Sequence, residues 1–239
     1  MKKLIIIATY NEIDNIGVLL DEIFTIIDDT DVLVIDDSSP DKTYELVENL
    51  IATKYQNKLF LIKRSGKLGL GTAYVAGFNY GLDKNYDVIL HMDADFSHHP
   101  KYLPQFFEGI KTNDVVIGSR YVKGGGVVNW GIIRKIISRG GSLYSRIILG
   151  IKVKDLTGGY KCFKKHVLQS IDVNNLKSNG YSFQVETTYK SILKKFTVKE
   201  IPIIFEDRRV GQSKMSSKIF VEALFMIIKL KWLHLINKL

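Results

Sequence analysis

Val88-Ile89-Leu90-His91-Met92-Asp93-Ala94-Asp95 decides how this chain is read. It opens as an apolar run of buried-strand type and breaks off into two carboxylates one residue apart. Two earlier runs end in a comparable way. Residues 4–8 lead into Thr9-Tyr10-Asn11-Glu12, and residues 32–35 stop at Asp36-Asp37-Ser38-Ser39-Pro40. Residues 59–62 and Val115-Val116-Ile117 are further runs of the same kind. Helical spacing lies between them. After Asp14, placed as an N-cap, Ile16, Leu19, Leu20, Ile23 and Ile27 trace one face. Ser39 and Pro40 are placed as the cap and first residue of a second helix running through Leu46 and Leu50, and Gly69-Leu70-Gly71 opens a third. Strands alternating with helices predict an α/β fold with a mainly parallel sheet covered on both faces. Ligands in such sheets bind beyond the carboxyl ends of the strands, so the acidic strand ends are the expected site.

Asp93 and Asp95 can converge on a hard divalent cation, which prefers oxygen ligands and keeps positions open for phosphate oxygens. A cation held there neutralises a diphosphate and stabilises it as a leaving group. Asp-X-Asp is also common in loops and caps. Its weight here comes from its position, at the end of an apolar strand with two other acidic strand ends nearby.

The chain has 239 residues, enough for one domain with a substantial core, and a net charge of +9 that is unevenly spread. Residues 1–119 hold 11 Lys/Arg against 18 Asp/Glu, a net of −7, whereas residues 120–239 hold 23 against 7, a net of +16. The second half is therefore expected to meet an anionic partner: nucleic acid, anionic lipid or a phosphorylated substrate. A solvated basic surface is the plainer reading. Carboxylates at the strand ends would repel nucleic acid, so none is expected as a partner. A nicotinamide dehydrogenase is disfavoured because no Gly-X-Gly-X-X-Gly follows the first strand. Receiver-type phosphotransfer proteins also pair aspartates at a strand end, but they are much shorter and lack the basic half. The single cysteine, Cys162, cannot form an intrachain disulfide, which suits a reducing compartment. The short apolar run after Met1-Lys2-Lys3 is read as a cytoplasmic strand, not a signal peptide.

Several motifs carry a family resemblance. Residues 8–12, residues 35–41, Lys67-Leu68-Gly69-Leu70-Gly71 and residues 92–100 resemble family 2 glycosyltransferases, and among them the dolichol-phosphate (polyprenol-phosphate) mannose synthases most closely. Gly118-Ser119-Arg120-Tyr121, residues 134–140, Asp155-Leu156-Thr157-Gly158-Gly159 and residues 207–214 continue the match in order, up to about Ser216. The resemblance implies a GT-A fold, a Mg²⁺ or Mn²⁺ cofactor, GDP-mannose as donor, and dolichyl or polyprenyl phosphate as acceptor. It implies that Ala8, Tyr10 and Glu12 hold the base and ribose, with Ile35 and Asp37 beside them. Asp93 and Asp95 would reach the metal and the diphosphate, with Ala94 between them. Arg120, Arg208 and Lys214 would line the side of the diphosphate and the acceptor phosphate, in agreement with the charge asymmetry. Arginine suits forked phosphate recognition, and lysine supplies a mobile point charge. With Asp95, these three cations form the expected catalytic set. Ala8 stands where the family usually has proline, Ser38 and Lys42 where glycines are frequent, and Ser97 where some relatives have a glutamine near the metal. No third protein ligand is therefore expected. The chemistry implied is a single inverting displacement by the acceptor phosphate, giving a β-linked product. A phosphate needs no general base, and His98 and His99 are expected to shape the loop. Transfer of another sugar, for instance from UDP-glucose, is the alternative within the fold. A non-enzymatic basic membrane-binding module is the alternative from another class.

Residues 1–216 are accordingly read as the catalytic domain. Within it, residues 129–151 form an amphipathic interfacial segment, expected as a helix pair. Ile132, Ile133, Ile136, Ile137, Leu143, Ile147, Ile148 and Leu149 are mixed there with Arg134, Lys135, Arg139 and Arg146. Residues 217–239 are read as an apolar, basic helix that docks on a membrane surface or a partner. Lys229 and Lys231 would each cost about 2.5–3.5 kcal/mol at a bilayer centre, so a membrane span is not expected. A peripheral protein at the cytoplasmic face of a membrane follows. The resemblance adds small membrane protein subunits as partners of such soluble-ended relatives, and a role in protein glycosylation.

Overall fold

The computed structural model describes residues 1–176, 178, 181–206, 217–236 and 238–239. The chain runs β1 (Lys3–Thr9), α1 (Ile13–Ile26), β2 (Asp31–Asp36), α2 (Thr43–Thr53), β3 (Leu59–Lys63), α3 (Leu70–Asp83) and β4 (Val88–Asp93). After a 3₁₀ turn over Pro100–Tyr102 come α4 (Leu103–Thr112), β5 (Val115–Ser119), β6 (Gly126–Val127) and α5 (Ile132–Leu149). The last part is β7 (Lys161–Lys164), α6 (Lys165–Ser170), α7 (Tyr181–Leu193), β8 (Val198–Pro202), β9 (Ile204–Phe205) and α8 (Ser217–Leu235). Seven strands form one sheet in the order β3-β2-β1-β4-β7-β5-β8, while β6 and β9 pair separately.

The alternation of β1 explains why both faces of the sheet are covered. Ile5 and Ile7 join α1, α2 and α4 through Ile16, Leu19, Leu20, Val47 and Phe106. Leu4 and Ile6 face the other way, onto Tyr74 and Phe78 of α3 and Phe183 of α7. Two glycines let α3 lie tight on the sheet. A Cβ on Gly77 would stand 2.7 Å from Ile6 Cγ2, and one on Gly81 2.5 Å from Ile89 Cδ1. The register aligns Ile35, Ala8 and Asp93 across β2, β1 and β4, so three expected site residues leave the sheet side by side.

The sheet is mainly parallel, as expected, with β7 running antiparallel between β4 and β5. The structure departs from the sequence reading in three places. α1 begins at Ile13, with Asp14 inside its first turn and not at the cap. α2 begins at Thr43, three residues beyond Pro40. Asp41 serves its first turn instead, its Oδ1 accepting from the Thr43 N–H at 3.0 Å, because Ser39 is bonded to Asp36. Finally, residues 132–149 are one helix, not a pair. Gly140 and Gly141 each cost a helix about 1 kcal/mol against alanine, yet α5 passes through both. Its C-terminal part is held by α8: Tyr144 Oη donates to the Leu224 carbonyl at 3.3 Å. Lys231 Nζ meets the carbonyl of Leu149 at 3.4 Å, a cation at the negative end of the α5 dipole.

Ile132, Ile133, Ile136, Leu143 and Ile147 of α5 are exposed, as are Phe225, Ile228, Trp232 and Leu235 of α8. On its other side α8 buries Ile227 and Leu230 in the core. Among the described residues no helix is long and apolar enough to cross a membrane.

Candidate active site

The loops after β1 and β2 are laced together at the top of the sheet. Asp36, fully buried, accepts from the Thr9 hydroxyl at 2.8 Å, the Ser39 hydroxyl at 2.6 Å and the Ser39 N–H at 2.8 Å. The Asn11 N–H donates to Ser39 Oγ, and the Glu12 N–H to Thr43 Oγ1, both at 3.0 Å. The Ile13 N–H donates to Asp41 Oδ2 at 3.1 Å. Asn11 takes a left-handed φ of 57° to make this possible. Of the expected nucleoside residues, Tyr10 lies on this rim with Lys67 Nζ 4.2 Å from its ring centroid. Glu12 accepts from the Asn15 side chain at 2.9 Å. The Ile35 side chain is buried in the core, so only its backbone is available to a ligand there.

Asp37 closes the rim on the third side. Its Oδ1 accepts from Arg64 Nε at 2.5 Å and its Oδ2 from the Leu68 N–H at 3.2 Å. Arg64 also donates to Thr72 Oγ1 at 2.8 Å and to the Gly69 carbonyl at 3.1 Å. One carboxylate and one guanidinium thus fix the loop that precedes α3, and Gly69 supplies its φ of 100°.

At the end of β4 the aspartates occupy unlike surroundings. Asp93 is about a third exposed, at 34%. Its Oδ1 accepts from Tyr74 Oη at 3.0 Å. Burial and the nearby Asp93 charge push the Tyr74 hydroxyl well above its usual range, so it stays a donor. The Asp93 N–H donates to His98 Nδ1 at 2.9 Å. That nitrogen is therefore a lone pair, and it faces Asp93 Oδ2 at 3.7 Å without offering a proton. Asp95 is nearly buried and accepts from the Ser97 N–H at 3.1 Å. Ala94 is buried between them, and Phe96 turns the chain with a left-handed φ of 63°. Two carboxylates at one strand end, with Asp93 Oδ2 meeting no donor among the described residues, fit a hard cation with oxygen ligands. Among the described residues no group of three His, Cys, Asp or Glu side chains could hold a metal ion.

The histidines point apart. His98 is buried, its ring stacked 5.0 Å from Tyr160, and desolvation lowers its pKa even against the pull of Asp93 and Asp95. His99 turns outward, where its Nδ1 accepts from the Lys101 N–H at 3.3 Å and lies 3.8 Å from Glu22. Both shape the loop.

Arg120 does not stand alone on a phosphate-lining surface. Its Nε and one terminal nitrogen fork onto Asp155 Oδ2 and Oδ1, both at 2.7 Å, and its backbone N–H adds a third bond at 2.9 Å. Burial alone would raise the Asp155 carboxyl, but the Arg120 charge and its hydrogen bonds hold it below the usual range. Behind this pair, fully buried Lys161 donates to the carbonyls of Leu156 and Gln184 and to Thr188 Oγ1, and desolvation brings its pKa down to about 7. Arg208 and Lys214 lie outside the described residues. Tyr74, Arg64, Lys161 and Gln184 belong to this neighbourhood with no signal in the sequence that singles them out. Asp155 stood in a quoted motif, but without a role.

Solved structures of low sequence identity share the architecture. Glucosyl-3-phosphoglycerate synthase of Mycobacterium tuberculosis, with Mn²⁺, UDP and its product, superposes with a TM-score of 0.67 at 16% identity, covering 98% of this chain and 79% of that one. A mannosyltransferase of Pyrobaculum calidifontis in complex with GDP-Man and Mn²⁺ gives 0.60 at 16% identity over 96% of this chain and 69% of that one. Sheet order and these neighbours define an α/β fold of GT-A type. The profile of Glycosyl transferase family 2 matches residues 4–172, and the chain belongs to that family. It is similar to an undecaprenyl-phosphate mannosyltransferase of Micrococcus luteus, 43% identical over 96% of this chain and 93% of the relative. It is also similar to a polyprenol monophosphomannose synthase of Mycolicibacterium smegmatis, 40% identical over 95% of this chain and 85% of the relative. The resemblance carried by the sequence motifs is borne out.

Proposed function

We propose that this enzyme transfers mannose from GDP-mannose to a polyprenyl phosphate, giving a β-linked lipid-phosphate sugar at a membrane surface. The observation that carries the reading is the near full-length similarity, at 43% and 40% identity, to two enzymes named for mannosyl transfer to such lipids. The site geometry supports it. Asp93 and Asp95 would hold Mg²⁺ or Mn²⁺, which when bound neutralises the departing diphosphate. The rim of Tyr10, Glu12 and Asp37 receives the nucleoside, and the basic second half of the chain receives phosphates. A donor panel of GDP-mannose, UDP-glucose and their epimers against undecaprenyl phosphate, with products identified by mass, is expected to give mannosyl product from GDP-mannose alone. Product from UDP-glucose at a higher rate would overturn the donor.

The acceptor is already ionised near neutral pH, its second pKa being about 6, so its oxygen can attack the anomeric carbon without a protein base. The residues at the site have only to bind, align and exclude water. His98 spends Nδ1 on a backbone N–H, and His99 faces α1. The acid limb of the rate profile is therefore expected to follow acceptor ionisation near about 6. His99→Gln should keep that limb and most of its turnover. A variant whose turnover collapses and returns at high pH would reveal a protein base, and an α-linked product by NMR would exclude single displacement.

The exposed apolar stripes of α5 and α8, flanked by Arg134, Lys135, Arg139, Lys229 and Lys231, support peripheral docking on an anionic surface. Because Ile227 and Leu230 anchor α8 in the core, point changes test this better than truncation. Ile147→Glu with Phe225→Glu is expected to weaken binding to phosphatidylglycerol liposomes at least about tenfold, with turnover of a water-soluble short-chain acceptor unchanged. Added salt should weaken wild-type binding by screening. Unchanged liposome binding of the double variant would exclude these stripes as the contact.

A further inference from the structure

Behind the Asp93 carboxylate stands a side chain whose hydrogen-bonding capacity is half used. Gln184, on α7, is 3% exposed. Its Oε1 lies 3.0 Å from His91 Nε2. His91 is itself buried, its ring centroid 4.4 Å from that of Tyr74, and among the described residues its Nδ1 meets no partner. That second fact fixes the proton. On Nδ1 it would bury a donor with no acceptor, whereas on Nε2 it is donated to the Gln184 carbonyl. The amide of Gln184 is thereby oriented, with its oxygen toward His91 and its NH₂ group away. Among the described residues no acceptor meets that NH₂ group.

What the NH₂ group faces is set by Gly159. A Cβ added there would stand 3.5 Å from Gln184 Nε2, 3.6 Å from Asp93 Oδ1 and 3.2 Å from His98 Cε1. An amide donor and a carboxylate acceptor therefore border the same small space, left open because position 159 carries no side chain. The main chain of Gln184 is held too, its carbonyl accepting from Lys161 Nζ at 2.5 Å. The donor is preorganised at both ends.

Donor and acceptor capacity selects the ligand. A phosphate oxygen can accept from the amide but has no proton to give Asp93 Oδ1, so it satisfies one neighbour of the two. A hydroxyl fits both neighbours, accepting from the amide and donating to the carboxylate. We propose that Gln184 and Asp93, across the bare face of Gly159, form the subsite that grips one hydroxyl of the hexosyl group being transferred. This rests on the reading that the donor is a nucleotide sugar bound at the strand ends, and it names the residues that tell sugar from bare nucleotide.

The test compares GDP with GDP-mannose, both with Mn²⁺, by calorimetry on the full chain. Gln184→Ala is expected to weaken GDP-mannose about tenfold while GDP stays within about twofold, the scale of one lost hydrogen bond. Gly159→Ala, which fills the space from the other side, should do the same, and it covers the case in which Gln184→Ala unfolds. Among GDP-deoxymannose donors, one deoxygenation should cost the wild type about tenfold and Gln184→Ala distinctly less, the remainder being the bond to Asp93. Equal weakening of GDP and GDP-mannose, or deoxygenation penalties that are the same in both proteins, would overturn the subsite and leave Gln184 a packing residue. If the wild type binds another nucleotide sugar and not GDP-mannose, the donor assignment alone fails. The same comparison on that sugar then decides the subsite.

Discussion

Asp155→Ala is expected to destabilise the protein by about 3–5 kcal/mol, a large share of the roughly 5–15 kcal/mol that holds a typical domain together. The carboxylate is fully buried, and Arg120, itself nearly buried, spends its fork on it. Removing the carboxylate leaves a guanidinium in a poorly solvating interior that has lost its forked partner, with Thr157 Oγ1 at 2.9 Å still accepting from it. Removing both charges together should cost much less, so Arg120→Met/Asp155→Leu is expected to be more stable than Asp155→Ala. Urea denaturation measures all three. A loss under about 1 kcal/mol in Asp155→Ala would mean that the pair is solvated and not structural. The same pair has a pH signature. Because the folded Asp155 pKa lies below the unfolded value of about 3.9, its contribution is complete above that value. It is lost as pH falls through the folded pKa, and the Asp155→Asn stability curve should approach the wild-type curve on the acid side.

The second large effect is on rate. Asp95→Asn is expected to fold normally, because asparagine keeps an oxygen for the Ser97 N–H, and to lower turnover roughly a thousandfold. That factor corresponds to about 4 kcal/mol of leaving-group stabilisation, a reasonable share for a divalent cation that has lost one of two anionic ligands. Turnover with GDP-mannose across a Mn²⁺ titration checks it. Near-normal turnover at limiting metal would remove Asp95 from the metal site, whereas partial recovery at high metal is the expected pattern.

The strands whose ends carry the site were legible because they are fully buried, and buried parallel strands appear as unbroken apolar runs. β1, β2 and β4 were found this way, each within two or three residues of its ends. β7 was not found, since Lys161-Cys162-Phe163-Lys164 begins and ends with lysine, and one of those lysines is buried for reasons that only the fold supplies. The start of α2 was misplaced because Ser-Pro is a common helix opening, while the Ser39 hydroxyl was already committed to Asp36. α5 was split because two adjacent glycines usually end a helix, and the contact with α8 that offsets them comes from some 80 residues away. The site divides in the same way. Asp93, Asp95, Tyr10, Glu12 and Asp37 sit in motifs of local sequence. Tyr74, Gln184 and Lys161 act through distances across the fold, and a Gln or Lys in a helical or mixed stretch looks like surface until its burial is known.

The lacing of the loops after β1 and β2 bears on how this enzyme could be re-engineered. Asn11, Glu12 and Ile13 give their N–H groups to Ser39, Thr43 and Asp41, so neither loop has a shape of its own. A chimera that imports residues 36–43 from a homologue with another donor, and leaves residues 9–13 behind, would strand up to three backbone donors wherever Ser39, Asp41 or Thr43 is replaced, and lose the rim rather than retune it. The two segments, far apart in sequence, form a single cassette. Exchanged together they should carry their nucleotide preference with them, and a library for donor specificity should vary them as linked positions.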